Sequence, residues 1–357
     1  MNDKYYIFSP FIRVNPKIKN GLINYLTRRL EVVNDTEMAI LKFCTQPRSL
    51  QNIELDFSNP SRLIHRLLIL ESGMEWKINR VRQLEIETTT ICNWKCKYCP
   101  NHIYTQKRNI MSLDLFEEII CKAKNYGYLK WVTLHAYNEP TIDPHFIQRI
   151  NILKKYDMKL VLYTNGTGLN ESSLLYLKDS KVLRNIVFNL PTTCPDDFYY
   201  LTQYKDLDKV IRNIKMAVQL NINTKISVQG TVEQQIKGIQ SIKTVFPNIE
   251  CVSHASFDRA GIIKNEINKN IHNDERFLSG CGFILSVLHI AYNGDCYLCI
   301  EDYHKKIVYG NIRNATIEDL MNSNKFIQIK KIVWGNIEAP NDYPCRQCIV
   351  MNNIMHT

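Results

Sequence analysis

The sequence predicts an α/β fold in which a parallel sheet is covered by helices. The main observation is region 83–265, where six short apolar strand patterns alternate with amphipathic helical patterns. A hairpin signal with three short helical patterns precedes this region, and a cysteine-containing segment with a second hairpin signal follows it. The chain has 357 residues, a formal net charge of +10 and 45% hydrophobic residues, a composition that indicates globular domains and excludes a disordered chain.

The first 80 residues predict a winged-helix-like domain. Two apolar stretches flank Asn20-Gly21, a dipeptide typical of two-residue type I′ turns because both turn positions adopt positive φ. Helical patterns begin at 34–35, after Ser49 and after 59–61. A hairpin combined with three helices favours the winged-helix arrangement.

Two functions fit such a domain, and a purely structural cap is the third alternative. If the third helix reads DNA, Arg62, His65 and Arg66 would face the major groove, and the charge of +10 would add affinity for phosphates. If the domain recognises a peptide, the edge of the hairpin would accept an extended leader segment as an added strand.

Region 83–265 contains the strands and helices of the predicted sheet. The predicted strands are Leu84–Thr90, Trp131–His135, Leu160–Thr164, Ile186–Leu190, Ile226–Thr231 and Cys251–Ala255. The amphipathic segments between them are Leu113–Lys124, Phe146–Lys155, Ser172–Leu177, Leu207–Leu220 and Gln235–Phe246. This alternation predicts either an open sheet or a partial barrel, with the chemistry at the carboxyl ends of the strands.

Residues 270–357 have a different pattern. Apolar stretches flank Asn293-Gly294, a second hairpin signal, and Thr316–Val333 is predicted to form one helix, with Thr316 as N-cap and Asp319 three residues later. This segment is too short for a hydrophobic core of its own, and a bound metal would compensate.

Eight of the twelve cysteines fall into three groups. The groups are Cys92, Cys96 and Cys99; Cys281, Cys296 and Cys299; and Cys345 and Cys348. The four isolated cysteines, Cys44, Cys121, Cys194 and Cys251, are interpreted as small buried hydrophobic residues. No signal peptide and no run of about 18 apolar residues is present, so we expect a cytoplasmic protein without a membrane partner. In that compartment grouped cysteines favour metal binding over disulfides.

The first cysteine group has the composition of an open metal site. The segment CNWKCKYC offers three thiolates, whereas structural zinc requires four ligands, and the nearest histidine, His102, lies outside it. The CxxxCxxC spacing, with Tyr98 before the third cysteine and a predicted strand before the first, resembles the radical S-adenosylmethionine (SAM) superfamily. The resemblance implies a partial (β/α)6 TIM barrel and a 4Fe-4S cluster with one iron open to SAM. It also implies that Tyr98 lies beside this cofactor.

Further motifs at the strand ends are similar to those of the same superfamily. The second predicted strand ends in LHAYNEP, which resembles a Gly-Gly-Glu-Pro turn that holds the methionine ammonium of SAM. Here the glycines are absent, and a charge-assisted contact would come from Asn138 and Glu139. The resemblance implies further cofactor contacts at the ends of the next three strands, from Thr164, Asn165, Asn189 and Gln229.

The C-terminal cysteines resemble those of SPASM and shortened "twitch" extensions, which bind auxiliary iron–sulfur clusters. Cys281, Cys299, Cys345 and Cys348 would ligate one auxiliary 4Fe-4S cluster, and a zinc ribbon with the same four ligands is the alternative. Cys296 lies three residues before Cys299 and would point to the opposite face of a regular strand, so it is expected to be a spare thiol. Asp302 stands where relatives place an acid near the substrate, and a turn residue is its other interpretation.

The layout of the N-terminal region resembles peptide-recognition (PqqD-like) domains of peptide-maturation enzymes, through FSPFIRVNPKI, NDTEMAILKF and LLILESGMEW. The predicted domains are therefore a winged-helix-like domain at 1–80, a radical SAM partial barrel at 81–268 and a SPASM/twitch domain at 269–357.

These resemblances imply an enzyme that generates a 5′-deoxyadenosyl radical and abstracts hydrogen from a ribosomally made precursor peptide. The expected outcome is oxidative, such as a cross-link; in a redox-neutral epimerisation, Cys296 would donate the returning hydrogen. The expected partners are the leader-bearing precursor and an electron donor such as flavodoxin or ferredoxin, and no nucleic acid is expected. A small-molecule dehydrogenase and a non-enzymatic iron–sulfur DNA-binding regulator are the alternatives.

Overall fold

A computed structural model describes residues 4–57, 59–253, 258–263 and 275–349. The backbone forms two compact units. The first unit comprises Met1–Val81, Glu275–Ser286 and Met321–Pro340, and the second unit comprises Arg82–Asp274, Val287–Leu320 and Asn341–Thr357. The predicted domain at 269–357 is therefore shared between the two units, because two of its segments pack with the N-terminal residues.

The strands and helices follow one another along the chain in the predicted order. The strands are β1 (Tyr5–Phe8), β2 (Ile12–Asn15), β3 (Gly21–Asn24), β4 (Arg29–Val32), β5 (Arg48–Ser49), β6 (Ile69–Glu71), β7 (Gln83–Ile86), β8 (Trp131–Thr133), β9 (Leu160–Thr164), β10 (Leu183–Asn189), β11 (Thr224–Val228), β12 (Glu250–Ser253), β13 (Val287–Ile290), β14 (Asp295–Tyr297) and β15 (Val308–Asn311). The helices are α1 (Asp35–Phe43), α2 (Leu50–Asp56), α3 (Ser61–His65), α4 (Leu113–Tyr126), α5 (Phe146–Lys155), α6 (Glu171–Ser180), α7 (Pro195–Thr202), α8 (Leu207–Gln219), α9 (Val232–Val245), α10 (Phe283–Ser286), α11 (Ile317–Asn322) and α12 (Asn324–Val333). None of the helices that the structure describes is long and apolar enough to cross a membrane.

The first unit contains the predicted hairpin and three helices, but the turn differs from the prediction. β2 and β3 pair across residues 16–20, with Asn20 at φ 54°, whereas Gly21 already opens β3. Gly21 is required by close packing, because an added Cβ would lie 2.7 Å from the Cβ of Ile18. The dipeptide therefore marks the end of a five-residue connection and not a two-residue turn.

The helices of the first unit begin where their capping residues predict. Asn34 and Glu37 form a reciprocal capping box at α1, and the Ser49 side chain accepts a hydrogen bond from Asn52 N at the start of α2. Arg66, one of the residues expected to contact DNA, donates to the Glu31 carboxylate at 2.8 and 2.6 Å. That guanidinium is already bound within its own domain, which argues against the DNA-reading alternative.

The second unit contains the predicted parallel sheet. Among the described residues its strand order is β12-β11-β10-β9-β8-β7-β13-β14-β15, and all neighbours from β12 to β13 are parallel. β7 to β12 stand side by side in chain order, as in the predicted partial (β/α)6 barrel, and the α/β fold is confirmed. β13 extends the barrel on the other side of β7, which the sequence did not indicate. The last predicted strand, Cys251–Ala255, extends at 254–255 beyond the described residues.

The two faces of this sheet differ in polarity. One face is apolar and fully buried, as expected where amphipathic helices cover a sheet: Leu84, Ile86, Val132, Leu160, Leu162, Ile186, Phe188, Ile226, Val228, Leu288 and Ile290. We call the opposite face the polar face, and the strand registers place on it Glu85, Thr133, Tyr163, Asn185, Asn189, Ser227, His289 and Tyr297.

One helical prediction is wrong, and one helix was not predicted. The single helix expected at Thr316–Val333 is divided into α11 and α12, because the Ser323 side chain accepts a hydrogen bond from Phe326 N and starts a new helix. The cap interaction between Thr316 and Asp319 is present, with Oγ1 donating to the carboxylate at 2.6 Å. α7 was not predicted, because PDDFYYLT is too short to show helical periodicity.

Candidate cofactor-binding site

The first cysteine group lies in a loop that follows β7 and is held by α7. The Trp94 ring contacts Phe198 edge-on at 5.3 Å between centroids, and its own exposure is only 2%. The amides of Lys95 and Lys97 donate to carbonyl oxygens at the end of α7, at 3.0 and 2.9 Å. An element that the sequence did not reveal thus fixes the position of the cysteine loop.

The three thiols of this loop lie close together, with Cys96 buried and Cys92 and Cys99 half-buried. Burial raises the pKa of Cys92 to about 12, and it also raises the pKa of Cys96 and Cys99. The neighbouring thiols of Cys92 and Cys99 raise the pKa of Cys96 further. Three mutually coupled thiols in a buried loop can ionise only if a cation compensates their charge.

No group of three or more histidine, cysteine or acidic side chains among the described residues has the geometry that holds a single metal ion. A cubane iron–sulfur cluster does not require that geometry, because each cysteine binds a different iron. The donor set of the loop therefore fits a cluster with three protein ligands better than it fits a zinc ion.

Glu139, at the end of β8, is the centre of a hydrogen-bond network at the strand ends. Its Oε1 accepts from Thr141 N at 3.0 Å, from Thr141 Oγ1 at 2.5 Å and from Thr164 Oγ1 at 2.6 Å, while Oε2 accepts only from Asn165 N, at 2.6 Å, among the described residues. Burial raises the pKa of Glu139, although these donors oppose the effect. The network holds the carboxylate in one orientation and leaves Oε2 with capacity for a further donor.

Asn165 also joins this network to the cysteine loop. Its Nδ2 donates to Asn93 Oδ1 at 2.9 Å, and Asn93 Nδ2 donates to Thr167 Oγ1 at 2.8 Å. Asn93 follows Cys92 directly and was missed at the level of sequence, because an asparagine between two cysteines gives no signal of its own. The ends of β8 and β9 and the cysteine loop thus form one connected polar edge.

The other predicted cofactor contacts are placed as follows. Asn189 Nδ2 donates to the Tyr98 hydroxyl at 3.1 Å, so these two residues from different elements come together. Asn138 shapes its own loop, with Nδ2 donating to Leu134 O at 3.0 Å and Oδ1 accepting from Ala136 N at 2.7 Å. Gln229 donates to Ser227 Oγ at 3.0 Å and lies at the end of β11.

The C-terminal cysteines are divided between the units. Cys299, Cys345 and Cys348 belong to the second unit, and Cys281 belongs to the first. Burial raises the pKa of Tyr343, and the thiols of Cys345 and Cys299 raise it further, so these two cysteines flank one tyrosine. The participation of Cys281 in the same cluster remains a prediction from the sequence pattern.

Comparison with known families agrees with this site. Residues 86–245 match the radical SAM superfamily, and residues 281–349 match SPASM, an iron–sulfur cluster-binding domain. The chain has a radical SAM domain followed by a SPASM domain. Radical SAM domains bind SAM and a 4Fe-4S cluster, and SPASM domains bind auxiliary iron–sulfur clusters.

Three of the matches to known proteins illustrate the similarity. The S-adenosyl-L-methionine-dependent 2-deoxy-scyllo-inosamine dehydrogenase of Niallia circulans is 22% identical over 277 residues, which cover 76% of this chain and 92% of that protein. The structure of Streptococcus suis SuiB bound to precursor peptide SuiA has a TM-score of 0.59 at 16% identity, covering 97% of this chain and 94% of SuiB. BtrN in complex with AdoMet and 2-DOIA has a TM-score of 0.50 at 18% identity, covering 72% of this chain and 88% of BtrN.

The two predicted catalytic residues of the SPASM domain, Cys296 and Asp302, both make contacts within the protein. Cys296 is fully buried and pairs with Ile290, which puts it on the apolar face of the sheet. The Asp302 carboxylate accepts hydrogen bonds from the amides of Lys306 and Ile307, at 3.0 and 2.9 Å. The position of Cys296 on the helix-covered face argues against a role as hydrogen donor, and the two amide contacts fit Asp302 as a turn residue; the roles of both residues stay predictions.

Tyr137 connects the radical SAM domain to the SPASM segment inside the second unit. Its hydroxyl donates to the carbonyl oxygen of Ile300, next to Cys299, and its own carbonyl accepts from Asn101 Nδ2 at 2.6 Å. The Arg259 guanidinium lies 5.4 Å from its ring centroid. Tyr137 stands in the LHAYNEP motif where the superfamily pattern has a glycine, so this departure adds a contact between the two cysteine-bearing loops.

The polar face holds ionisable residues that the sequence predictions missed. His289 Nδ1 lies 3.0 Å from a Glu85 carboxylate oxygen, and Lys305 Nζ lies 3.0 Å from Glu87. The alternation in LEIE at 84–87 carried the signal, since it places two carboxylates on the face opposite two apolar residues.

Proposed function

We propose that this protein modifies a ribosomally made precursor peptide by radical SAM chemistry and that the modification is oxidative. The cofactor supplies a 5′-deoxyadenosyl radical that abstracts hydrogen from an unactivated carbon. The observation that carries the proposal is coverage: the likeness to peptide-bound SuiB extends over 97% of this chain, whereas the likeness to BtrN leaves more than a quarter uncovered.

The first unit supports a peptide substrate through an open sheet edge. β4 pairs only with β3 among the described residues, and it exposes 51% of Leu30 and 53% of Val32. An extended leader segment can pair with such an edge and cover these apolar side chains. The net charge of +10 favours an acidic leader.

In this proposal different residues bind the first cluster, the cofactor and the auxiliary cluster. Cys92, Cys96 and Cys99 hold the SAM-binding cluster, and Glu139 receives the SAM ammonium at Oε2, while Tyr98 and Asn189 border the cofactor. Cys299, Cys345 and Cys348 hold one auxiliary cluster without an open iron, for which the sequence pattern predicts Cys281 as the fourth ligand. Flavodoxin or ferredoxin would supply the reducing electron.

Oxidation of a small molecule is the second candidate, and the dehydrogenase of Niallia circulans favours it because its similarity extends over 92% of that protein. A small substrate gives no role to the exposed edge of β4. The two candidates therefore differ in whether the first unit contributes to turnover.

The test uses the anaerobically reconstituted enzyme, for which two cubane clusters predict about eight irons per chain. Release of 5′-deoxyadenosine is measured with candidate precursor peptides and with cyclic polyols. We expect release to depend on the peptide and Val32→Asp on β4 to raise KM for the peptide by about tenfold, because the variant places a charge against the bound strand. Leu55→Asp on α2, where the side chain is 74% exposed and belongs to no sheet edge, is the matched control and should leave KM unchanged. Polyol-dependent release with no effect of either variant would replace the peptide proposal with the small-molecule one.

A further inference from the structure

A glutamate–histidine pair lies on the polar face, away from the cysteine loops. The register of β13 against β7 places His289 opposite Glu85, and the Nδ1 atom lies 3.0 Å from the carboxylate. His289 is 1% exposed and Glu85 is 9% exposed. Neither ring nitrogen has a hydrogen-bond partner among the described residues, although Nδ1 lies close to the carboxylate and Nε2 does not. A buried ring nitrogen without a partner is costly unless a ligand satisfies it.

The carboxylate determines which ring nitrogen is free. Burial opposes ionisation of Glu85, while His289, His135 and Arg259 favour it, and the pKa of the carboxyl lies below its usual value. In neutral His289 an ionised carboxylate beside Nδ1 favours the tautomer with the proton on that atom, in which Nε2 is a proton acceptor.

The other ionisable groups around the pair are engaged with partners of their own. Lys305 pairs with Glu87, and Arg259 pairs with Glu301 at 2.7 Å. Tyr297, on the neighbouring β14, has its ring 5.6 Å from the His289 ring. On the other side of β7, His135 stacks on Tyr163 at 4.5 Å. The charged neighbours are thus balanced in pairs, while Nε2 of His289 remains available.

Arg259 links this pair to the cysteine loop. Its charge acts on Glu85, and it also acts on the Cys99 thiol. Arg259 therefore lies within electrostatic range of both the pair and the SAM-binding loop.

We propose that His289, oriented by Glu85, accepts the proton that the substrate loses during oxidation. This inference rests on the proposed oxidative function. With SAM and the clusters bound, the substrate would give a hydrogen atom to the 5′-deoxyadenosyl radical, a proton to His289 Nε2 and one electron to an iron–sulfur centre. In exchange one new bond forms at the carbon that lost hydrogen, either a cross-link or a double bond. The substrate class is a residue that carries an N–H, O–H or S–H group within reach of the abstracted hydrogen.

The test measures two quantities on the same reconstituted enzyme, 5′-deoxyadenosine released and modified product formed. His289→Gln keeps polar bulk but cannot take the proton. We expect product formation to fall by about 100-fold, the usual contribution of a general base, while 5′-deoxyadenosine release falls by less than about threefold. Glu85→Gln should lower product formation by about tenfold, and its pH profile should shift because the base loses its orienting charge. His145→Gln, at the start of α5, is the matched control and should leave both quantities unchanged.

The outcomes separate the two proposals. Unchanged product formation in His289→Gln, or a parallel fall of product and 5′-deoxyadenosine, overturns the role of His289. If His289→Gln fails to fold, judged by thermal unfolding and iron content, Glu85→Gln decides by the same ratio of product to 5′-deoxyadenosine. If the unmodified enzyme releases no 5′-deoxyadenosine in response to peptides, the proposed function fails independently of His289.

Discussion

The strand-end edge and the polar face of the second unit satisfy their buried carboxylates in different ways. At the edge, Glu139 accepts four hydrogen bonds from neutral donors of the chain itself. On the polar face, Glu85 and Glu87 face the ionisable partners His289 and Lys305. Neutral donors fix a geometry, whereas paired charges respond to a change in protonation. Under the two proposals, the edge holds the cofactor in a fixed geometry and the polar face takes up protons.

The prediction with the largest expected effect concerns Lys330, a buried cation without an anionic partner among the described residues. It tests whether burial alone shifts a pKa. Lys330, in the first unit, is fully buried, and its ammonium donates only to the neutral Asn79 Oδ1 at 2.9 Å among the described residues. Burial lowers the pKa of Lys330 from 10.5 to about 7. The folded state therefore binds fewer protons than the unfolded state between pH 7 and 10.5, and stability rises with pH across that window.

We expect Lys330→Met to remove this rise, which amounts to about 5 kcal/mol at 1.36 kcal/mol per pKa unit. The variant should be more stable than the parent at pH 7, and the difference should shrink toward pH 10.5. Urea unfolding at several pH values measures it, with Lys325→Met on the exposed side of α12 as the control. A pH-independent difference would show that Lys330 has the same pKa in the folded and unfolded states.

The second prediction concerns the charge pair of Lys305 and Glu87 on the polar face. Lys305→Met leaves Glu87, whose side chain is fully buried, without its cation and should cost about 3 kcal/mol of folding free energy. The loss should grow as pH rises, because the remaining carboxyl must ionise unpaired. In a double-mutant cycle measured by urea unfolding, Glu87→Gln in the same chain should restore most of the stability. Additive losses would contradict a direct pairing.

The prediction with the smallest expected effect concerns Glu139 at the strand-end edge. Glu139→Gln removes the charge proposed for the SAM ammonium but keeps one amide oxygen for Thr141 and Thr164. We expect SAM affinity to fall by about tenfold, as for loss of one charge-assisted hydrogen bond. Equilibrium binding to the reconstituted protein measures this, with the exposed Glu171→Gln as control. Unchanged affinity would restrict Glu139 to a structural role.

Elements with local signals were predictable from sequence. α5 occupies the predicted Phe146–Lys155, and the capping residues Asn34 and Ser49 start α1 and α2 as predicted. Predictions failed where the local structure depends on a contact that the sequence pattern does not show. The turn at Asn20-Gly21 depends on packing against Ile18, and the break between α11 and α12 depends on the single side chain of Ser323.

The cysteines of the candidate site are visible in the sequence, whereas the contacts in its interior are not. Cysteine spacing predicts Cys92, Cys96 and Cys99 as ligands because three soft ligands at such short intervals rarely occur by chance. The Glu85–His289 contact joins residues 204 positions apart, and only the register of β13 against β7 creates it. Cys296 was expected to be available because sequence alone does not say which face of the sheet is covered by helices.

The central claim is hydrogen abstraction from a peptide, and transfer of deuterium tests it most directly. The reconstituted enzyme is incubated with SAM, reductant and a precursor peptide deuterated at its carbon positions, and the 5′-deoxyadenosine is examined by mass spectrometry. The account predicts 5′-deoxyadenosine one mass unit heavier, formed only when the peptide is present. Formation of unlabelled 5′-deoxyadenosine at the same rate with and without peptide would contradict it.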